Sequence, residues 1–127
     1  MDLKQEAAKW LAFADEDLAY GKLGLGRFPR AAAWSFQQAA EKAMKACLIS
    51  TGHIPPRTHD IVLLHNLQER ESSEDVREAV LKLAEITSAS RYPDDLDEMS
   101  AEMAAEHEKA AILVVTWAHY CLEDPKG

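Results

Sequence analysis

The chain is poor in the residues that mark whole classes of protein. It has only two cysteines, Cys47 and Cys121, far apart and with no CxxC. That composition reads as two reduced thiols, half-buried in helices, in a reducing cytoplasm. Positive charge is scarce: 14 Lys and Arg stand against 22 Asp and Glu, a net charge of −8. An extended nucleic-acid surface needs many cations on one face, so none is expected, although a local basic pocket is compatible with this balance. The longest apolar run, Ala110 to Ala118, is broken only by Thr116 and is far too short to span a bilayer. The N-terminal MDLKQEAAKW has no apolar signal core.

Strand signals are also missing. No alternating apolar–polar segment is long enough for a strand, and no Asn-Gly or Asp-Gly turn occurs. Metal motifs are absent in turn. A ferritin-like site requires Glu-x-x-His, but the residues three before the five histidines are Ser50, Pro56, Val62, Ala104 and Thr116. HExxH, Cys/His zinc spacings and GxxxxGK[ST] do not occur. Gly21, Gly24 and Gly26 follow no strand, so they make no dinucleotide fingerprint. No metal or cofactor is expected.

What remains is helical periodicity, in one domain over residues 1–127 with a flexible tail at 123–127. Leu3, Ala7, Trp10, Ala14 and Leu18 predict a helix over Leu3 to Leu23. A second runs from Pro29 to Thr51, with Pro29 in its first turn and Gly52 ending it. It carries two small apolar stripes, Ala32/Phe36/Ala39/Ala43/Cys47 and Ala33/Ala40/Met44/Leu48. The third helix is short, His59 to Glu69, with Thr58 as N-cap. The fourth covers Ser73 to Ser90 with Ser72 as cap, ending before Arg91-Tyr92-Pro93. The fifth covers Ala101 to Leu122 with Ser100 as cap. The fold class is all-α, an antiparallel up-and-down bundle of four to five helices.

The chemistry concentrates between Ala31 and Asp60. Gln38, Glu41, Lys42 and Lys45 fall at i, i+3, i+4 and i+7 on one face of the second helix. For Glu41 and Lys45 the simple reading is an i,i+4 pair on a solvated face. Gln37, Gln38 and Lys42 sit against the alanine stripes, where a neighbouring helix or a second subunit would partly bury them. Arg57, Thr58, His59 and Asp60 then gather a guanidinium, a hydroxyl, an imidazole and a carboxylate. They read either as a plain helix start, with Asp60 complementing the dipole, or as an anion or nucleotide contact. Arg91 and Tyr92 either close a helix or offer a phosphate fork and a stacking face. His53, His65, His107 and His119 read as structural or surface residues. Trp10, Trp34 and Trp117 read as core or interface anchors.

Phe36-Gln37-Gln38, Ala39-Ala40-Glu41-Lys42-Ala43, Lys45-Ala46-Cys47-Leu48, Gly52, Pro55-Pro56, Arg57-Thr58-His59-Asp60 and Arg91-Tyr92-Pro93 together resemble a HEPN domain. Trp10 and Ala14-Asp15-Glu16-Asp17-Leu18 fit the same pattern, so the resemblance covers nearly the whole chain. It implies a bundle of about five helices, a homodimer, and pairing with a minimal nucleotidyltransferase in a toxin–antitoxin-like module. Some members of the family cleave RNA and some are proposed nucleotide binders. The ribonuclease branch carries Arg, four to six residues, then His. No histidine here has an arginine at that distance, and Arg57 lies eight before His65. The expectation is therefore a non-catalytic dimer that binds a nucleotide or a nucleotidyltransferase. Its candidate ligand residues are Gln38, Lys42, Arg57, His59, Asp60, Arg91 and Tyr92, with Asp60 orienting the His59 ring. The alternatives are a metal-independent ribonuclease using His59, and a purely structural interaction module.

Overall fold

A computed structural model describes residues 2–89 and 99–123. Five helices follow one another: α1 (Leu3–Gly24), α2 (Pro29–Ser50), α3 (Ile61–Asn66), α4 (Glu74–Ala89) and α5 (Ala101–Glu123). Among the described residues there is no strand. The four long helices form the expected antiparallel up-and-down bundle, with α3 and its flanking loops laid across one side.

Local signals set most boundaries. Asp2 caps α1 in a reciprocal capping box with Gln5. Pro29 opens α2, where a missing N–H costs nothing. At the other end of α2, Gly52 takes φ +88°, Gly52 N–H donates to the Ile49 carbonyl, and His53 N–H donates to the Leu48 carbonyl. This is a Schellman closure, and the positive φ favours glycine there. Ser100 caps α5 as read from the sequence, accepting from Met103 N–H at 3.1 Å.

Two caps differ from the expectation. Asp60, not Thr58, caps α3: one carboxylate oxygen accepts from Val62 and Leu63 N–H, both at 3.1 Å. A charged acceptor suits the positive end of a helix better than a hydroxyl. Thr58 Oγ1 instead accepts from Asp60 N–H at 3.0 Å, so the chain from Arg57 to Asp60 stays outside the helix. Ser73, not Ser72, caps α4, accepting from Val76 N–H, while Ser72 Oγ meets His65 Nε2 at 2.7 Å. Of the expected tail, Glu123 still belongs to α5, and residues 124–127 lie outside the described residues.

α2 is the hub. Both of its alanine-rich stripes are buried, and Phe36, Ala39, Ala40, Ala43, Met44 and Cys47 have no exposed surface. Small side chains let α1 and α5 approach it closely. The tightest approach is at Gly21 of α1, where a Cβ would lie 2.5 Å from Phe36 Cε1. Inward residues of α4 and α5 match the periodicity, with Val76, Val80 and Leu83 from one and Ala104, Ala111, Val114, Val115 and Ala118 from the other. Leu3, by contrast, remains 56% exposed at the edge of α1. The cysteines are fully buried rather than half-buried. Cys47 shares a hydrogen bond with Cys121 across the bundle, and this contact together with burial pushes the Cys47 thiol far up.

Candidate functional site

The α2 polar residues divide between two surfaces. Gln37, Glu41 and Lys45 recur every fourth residue on the flank covered by the loop that precedes α3. They are 0%, 3% and 8% exposed, so the Glu41–Lys45 pair is present but is not the solvated pair the spacing suggested. Lys45 Nζ lies 3.0 Å from Glu41 Oε2 and 5.6 Å from the centroid of the Trp10 ring. The other Glu41 oxygen, Oε1, lies 2.9 Å from His59 Nδ1. Gln37 Nε2 donates to the His59 carbonyl at 3.4 Å, and Gln38 Nε2 donates to Gln37 Oε1 at 2.9 Å. One buried carboxylate therefore anchors an ammonium from below and an imidazole from the loop above. An ammonium and a ring N–H as hydrogen-bonding partners offset the desolvation that a buried carboxylate would otherwise suffer.

This geometry reassigns two roles. The His59 ring is oriented by Glu41, not by Asp60, whose carboxylate is taken up by the α3 cap. The N–H groups of Val62 and Leu63 are likewise committed to that cap, so they are filled by the chain's own anion. With Nδ1 held against Glu41, Nε2 is the ring nitrogen left to face outward, on a side chain that is 75% exposed. His59 is thus positioned to hydrogen-bond a ligand or accept a proton through Nε2. Beside it, Arg57 is exposed, and its guanidinium has no ion-pair or hydrogen-bond partner among the described residues.

Gln38 and Lys42 belong to the second surface. Trp34, Gln38 and Lys42 form an i, i+4, i+8 stripe on α2, and Phe13, Asp17 and Tyr20 form an i, i+4, i+7 stripe on α1. The 2.6 Å bridge between Lys42 Nζ and Asp17 Oδ2 joins the stripes into one seam. Its aromatics are unusually open: Phe13 is 44%, Trp34 42% and Tyr20 68% exposed. The structure therefore gathers Arg57 and His59 around Glu41, with Asp60 at the adjoining cap, and sets Gln38 and Lys42 on a neighbouring face. Arg91 and Tyr92 lie outside the described residues.

Sequence reasoning missed a groove of about 380 Å³ beside the Glu41–Lys45 pair. It is lined chiefly by Trp10, Lys45, Ile49, Pro55, Pro56 and Arg57, with Leu3, Glu6, His53 and Ile54 completing it. In the sequence Pro55-Pro56 stands out only as part of the family resemblance, and Trp10 as that and as an anchor. One signal for the buried pair was available: Glu41 is flanked at helical spacing by Met44 and Leu48, so its side of α2 could not be wholly solvated. No group of three or more His, Cys, Asp or Glu among the described residues is placed to hold a metal ion.

The comparisons with known proteins agree with this architecture. TT1696 from Thermus thermophilus superposes with a TM-score of 0.82 at 25% identity, covering 91% of this chain and 97% of that one. ST0689, described as an archaeal HEPN homologue, superposes with a TM-score of 0.77, also at 25% identity, over 92% of this chain and 98% of that one. No match was found among curated proteins. The model of the HEPN domain matches residues 2–122, which is almost the full chain, and on that extent this protein belongs to the HEPN domain family.

Proposed function

We propose that this HEPN protein is a cytoplasmic homodimer that binds a nucleotide and works with a minimal nucleotidyltransferase in a toxin–antitoxin-like pair. The observation that carries the nucleotide reading is the Glu41-anchored loop. Glu41 holds His59 with its Nε2 outward, while Arg57, two residues away, keeps a guanidinium with no partner among the described residues. An unpaired guanidinium beside an oriented imidazole suits a phosphate group, which takes charge-assisted hydrogen bonds from both. Gln38 and Lys42 serve the dimer seam in this reading, and Arg91 and Tyr92 remain candidate ligand contacts. Asp60 shapes the loop by capping α3. Among the described residues no helix is long and apolar enough to cross a membrane.

Calorimetric titration with ATP, GTP and AMP tests the proposal. Binding at micromolar concentration that weakens about tenfold or more in Arg57→Ala is expected, because losing one charge-assisted phosphate contact costs roughly 1.5–3 kcal/mol. No heat with any nucleotide would turn the same loop into a protein-binding surface.

A second reading has one specific observation behind it. A buried carboxylate holding Nδ1 of an exposed histidine is an arrangement that suits general acid–base chemistry at Nε2. A metal-independent ribonuclease would use His59 in this way, with Arg57 against the phosphate. Cleavage of a defined RNA by the wild type, lost in His59→Ala, would favour it over simple binding.

A further inference from the structure

The groove between the start of α1, the end of α2 and the Pro55-Pro56 turn shares Arg57 with the reading above, which gives its other walls no role. Its lining is mostly apolar and includes the Trp10 indole, Ile49 and the two proline rings. Its volume, about 380 Å³, lies within the range of small-molecule sites, roughly 300–1,000 Å³. The charges that line it are unequal in availability. Lys45 is already neutralised by Glu41. Arg57 and the Glu6 carboxylate carry no ion pair or side-chain hydrogen bond among the described residues. The groove therefore presents one available cation, one available carboxylate, and a slot of apolar surface.

We infer that this groove holds the base of an amino-bearing purine nucleotide, with its phosphate at Arg57, its ring against Trp10 and Pro55-Pro56, and its exocyclic amine donating to Glu6. The inference rests on the nucleotide reading and specifies where the base goes. Three features converge on it. A planar ring gains stacking and burial against an indole and prolines, which an aliphatic ligand would not match. Arg57 lines the groove two residues before His59 and supplies a fork for phosphate oxygens. Glu6 offers only acceptors when ionised, so it can take a hydrogen bond from an exocyclic amine but not from a carbonyl oxygen at the same ring position. Lys45 does not contact phosphate in this arrangement. Its ammonium, tied to Glu41 and set over the Trp10 ring, holds the indole wall in place.

The decisive experiment compares AMP with IMP, which replaces the amine by a carbonyl, in calorimetry on the full chain. AMP is expected to bind about tenfold more tightly than IMP, the fold-change of one charge-assisted hydrogen bond. Glu6→Ala is expected to shrink that preference, and Trp10→Phe to weaken both ligands. Because Trp10 also packs against Lys45, wild-type NMR supplies an independent reading: AMP should shift the Trp10 indole N–H resonance more than that of Trp34. Three results would overturn the inference. AMP binding that depends on Arg57 yet ignores Glu6 and leaves the Trp10 signal unmoved would keep the nucleotide but remove it from the groove. Equal affinity for AMP and IMP would remove the amine contact. Absence of binding by any nucleotide would remove the nucleotide reading and this inference together.

Discussion

Glu41 shows how much one side chain can carry when it is buried. Its two oxygens take Lys45 and His59 at 3.0 and 2.9 Å, and nothing else described offers Lys45 Nζ a carboxylate. Replacing Glu41 by alanine strands an ammonium in a residue that is 8% exposed, and breaking a buried pair in this way costs roughly 3–5 kcal/mol. Lys45 keeps its contact with the Trp10 ring and borders an open groove, which places the expected loss near the lower end, about 3 kcal/mol. Urea unfolding measures it. The double variant Glu41→Leu with Lys45→Met, which removes both charges, is expected to recover most of that loss. If the proposed nucleotide binding is observed, recovery of stability without recovery of binding would separate a structural duty of the pair from its anchoring of His59.

The α1–α2 contact is governed by size. Gly21 lies inside α1, where alanine would normally be favoured by about 1 kcal/mol. Here the added methyl meets the ring of Phe36, with contacts at 2.5 and 2.8 Å, and that ring is wholly buried and cannot swing aside. Overpacking costs typically about 1–3 kcal/mol, so the steric effect wins. Gly21→Ala is expected to lower the thermal midpoint, and pairing it with Phe36→Leu to restore part of the loss. Periodicity makes the helix visible in the sequence, where Gly21 stands only as one of three glycines that form no dinucleotide fingerprint. It cannot show that the glycine faces an aromatic ring, because that depends on how two helices dock.

For the molecule as a whole, protonation and association are the two levers. Burial lowers the affinity of His107 for a proton, with Lys82 adding to the effect and Glu85 and Glu106 opposing it. Burial and then Arg77 lower that of His65. In the unfolded chain both rings titrate near 6.5. As pH falls through that value, the unfolded state takes up protons that the folded state refuses, so stability declines; at higher pH the effect vanishes. The urea midpoint is therefore expected to be lower at pH 5.5 than at pH 7.5, with a smaller difference in His107→Gln. In the proposed homodimer, association would draw on the exposed seam of Phe13, Tyr20 and Trp34. Because these side chains are exposed in one chain, Trp34→Glu should leave the circular dichroism spectrum unchanged while shifting a dimer to monomer in sedimentation equilibrium. A seam that tolerates glutamate without change in mass would refute that assembly.

Five helices, their alanine stripes, the Pro29 start, the Gly52 stop and the Ser100 cap are all legible from local spacing, because helix geometry repeats every 3.6 residues wherever it occurs. The identity of the polar residues is legible too: Gln37, Gln38, Glu41, Lys42, Lys45, Arg57 and His59 stand out in the sequence itself. Their partners do not. Glu41 lies 18 residues from His59, Lys42 pairs with Asp17, and Lys45 lies over Trp10, all through long-range packing. Only the bundle decided that a pair read as solvated is buried and that Asp60 caps rather than orients. Only the bundle divided the α2 polar residues between the flank that meets the His59 loop and the face that meets α1. Burial and pairing are properties of surfaces brought together, and one helix read alone has only one of those surfaces.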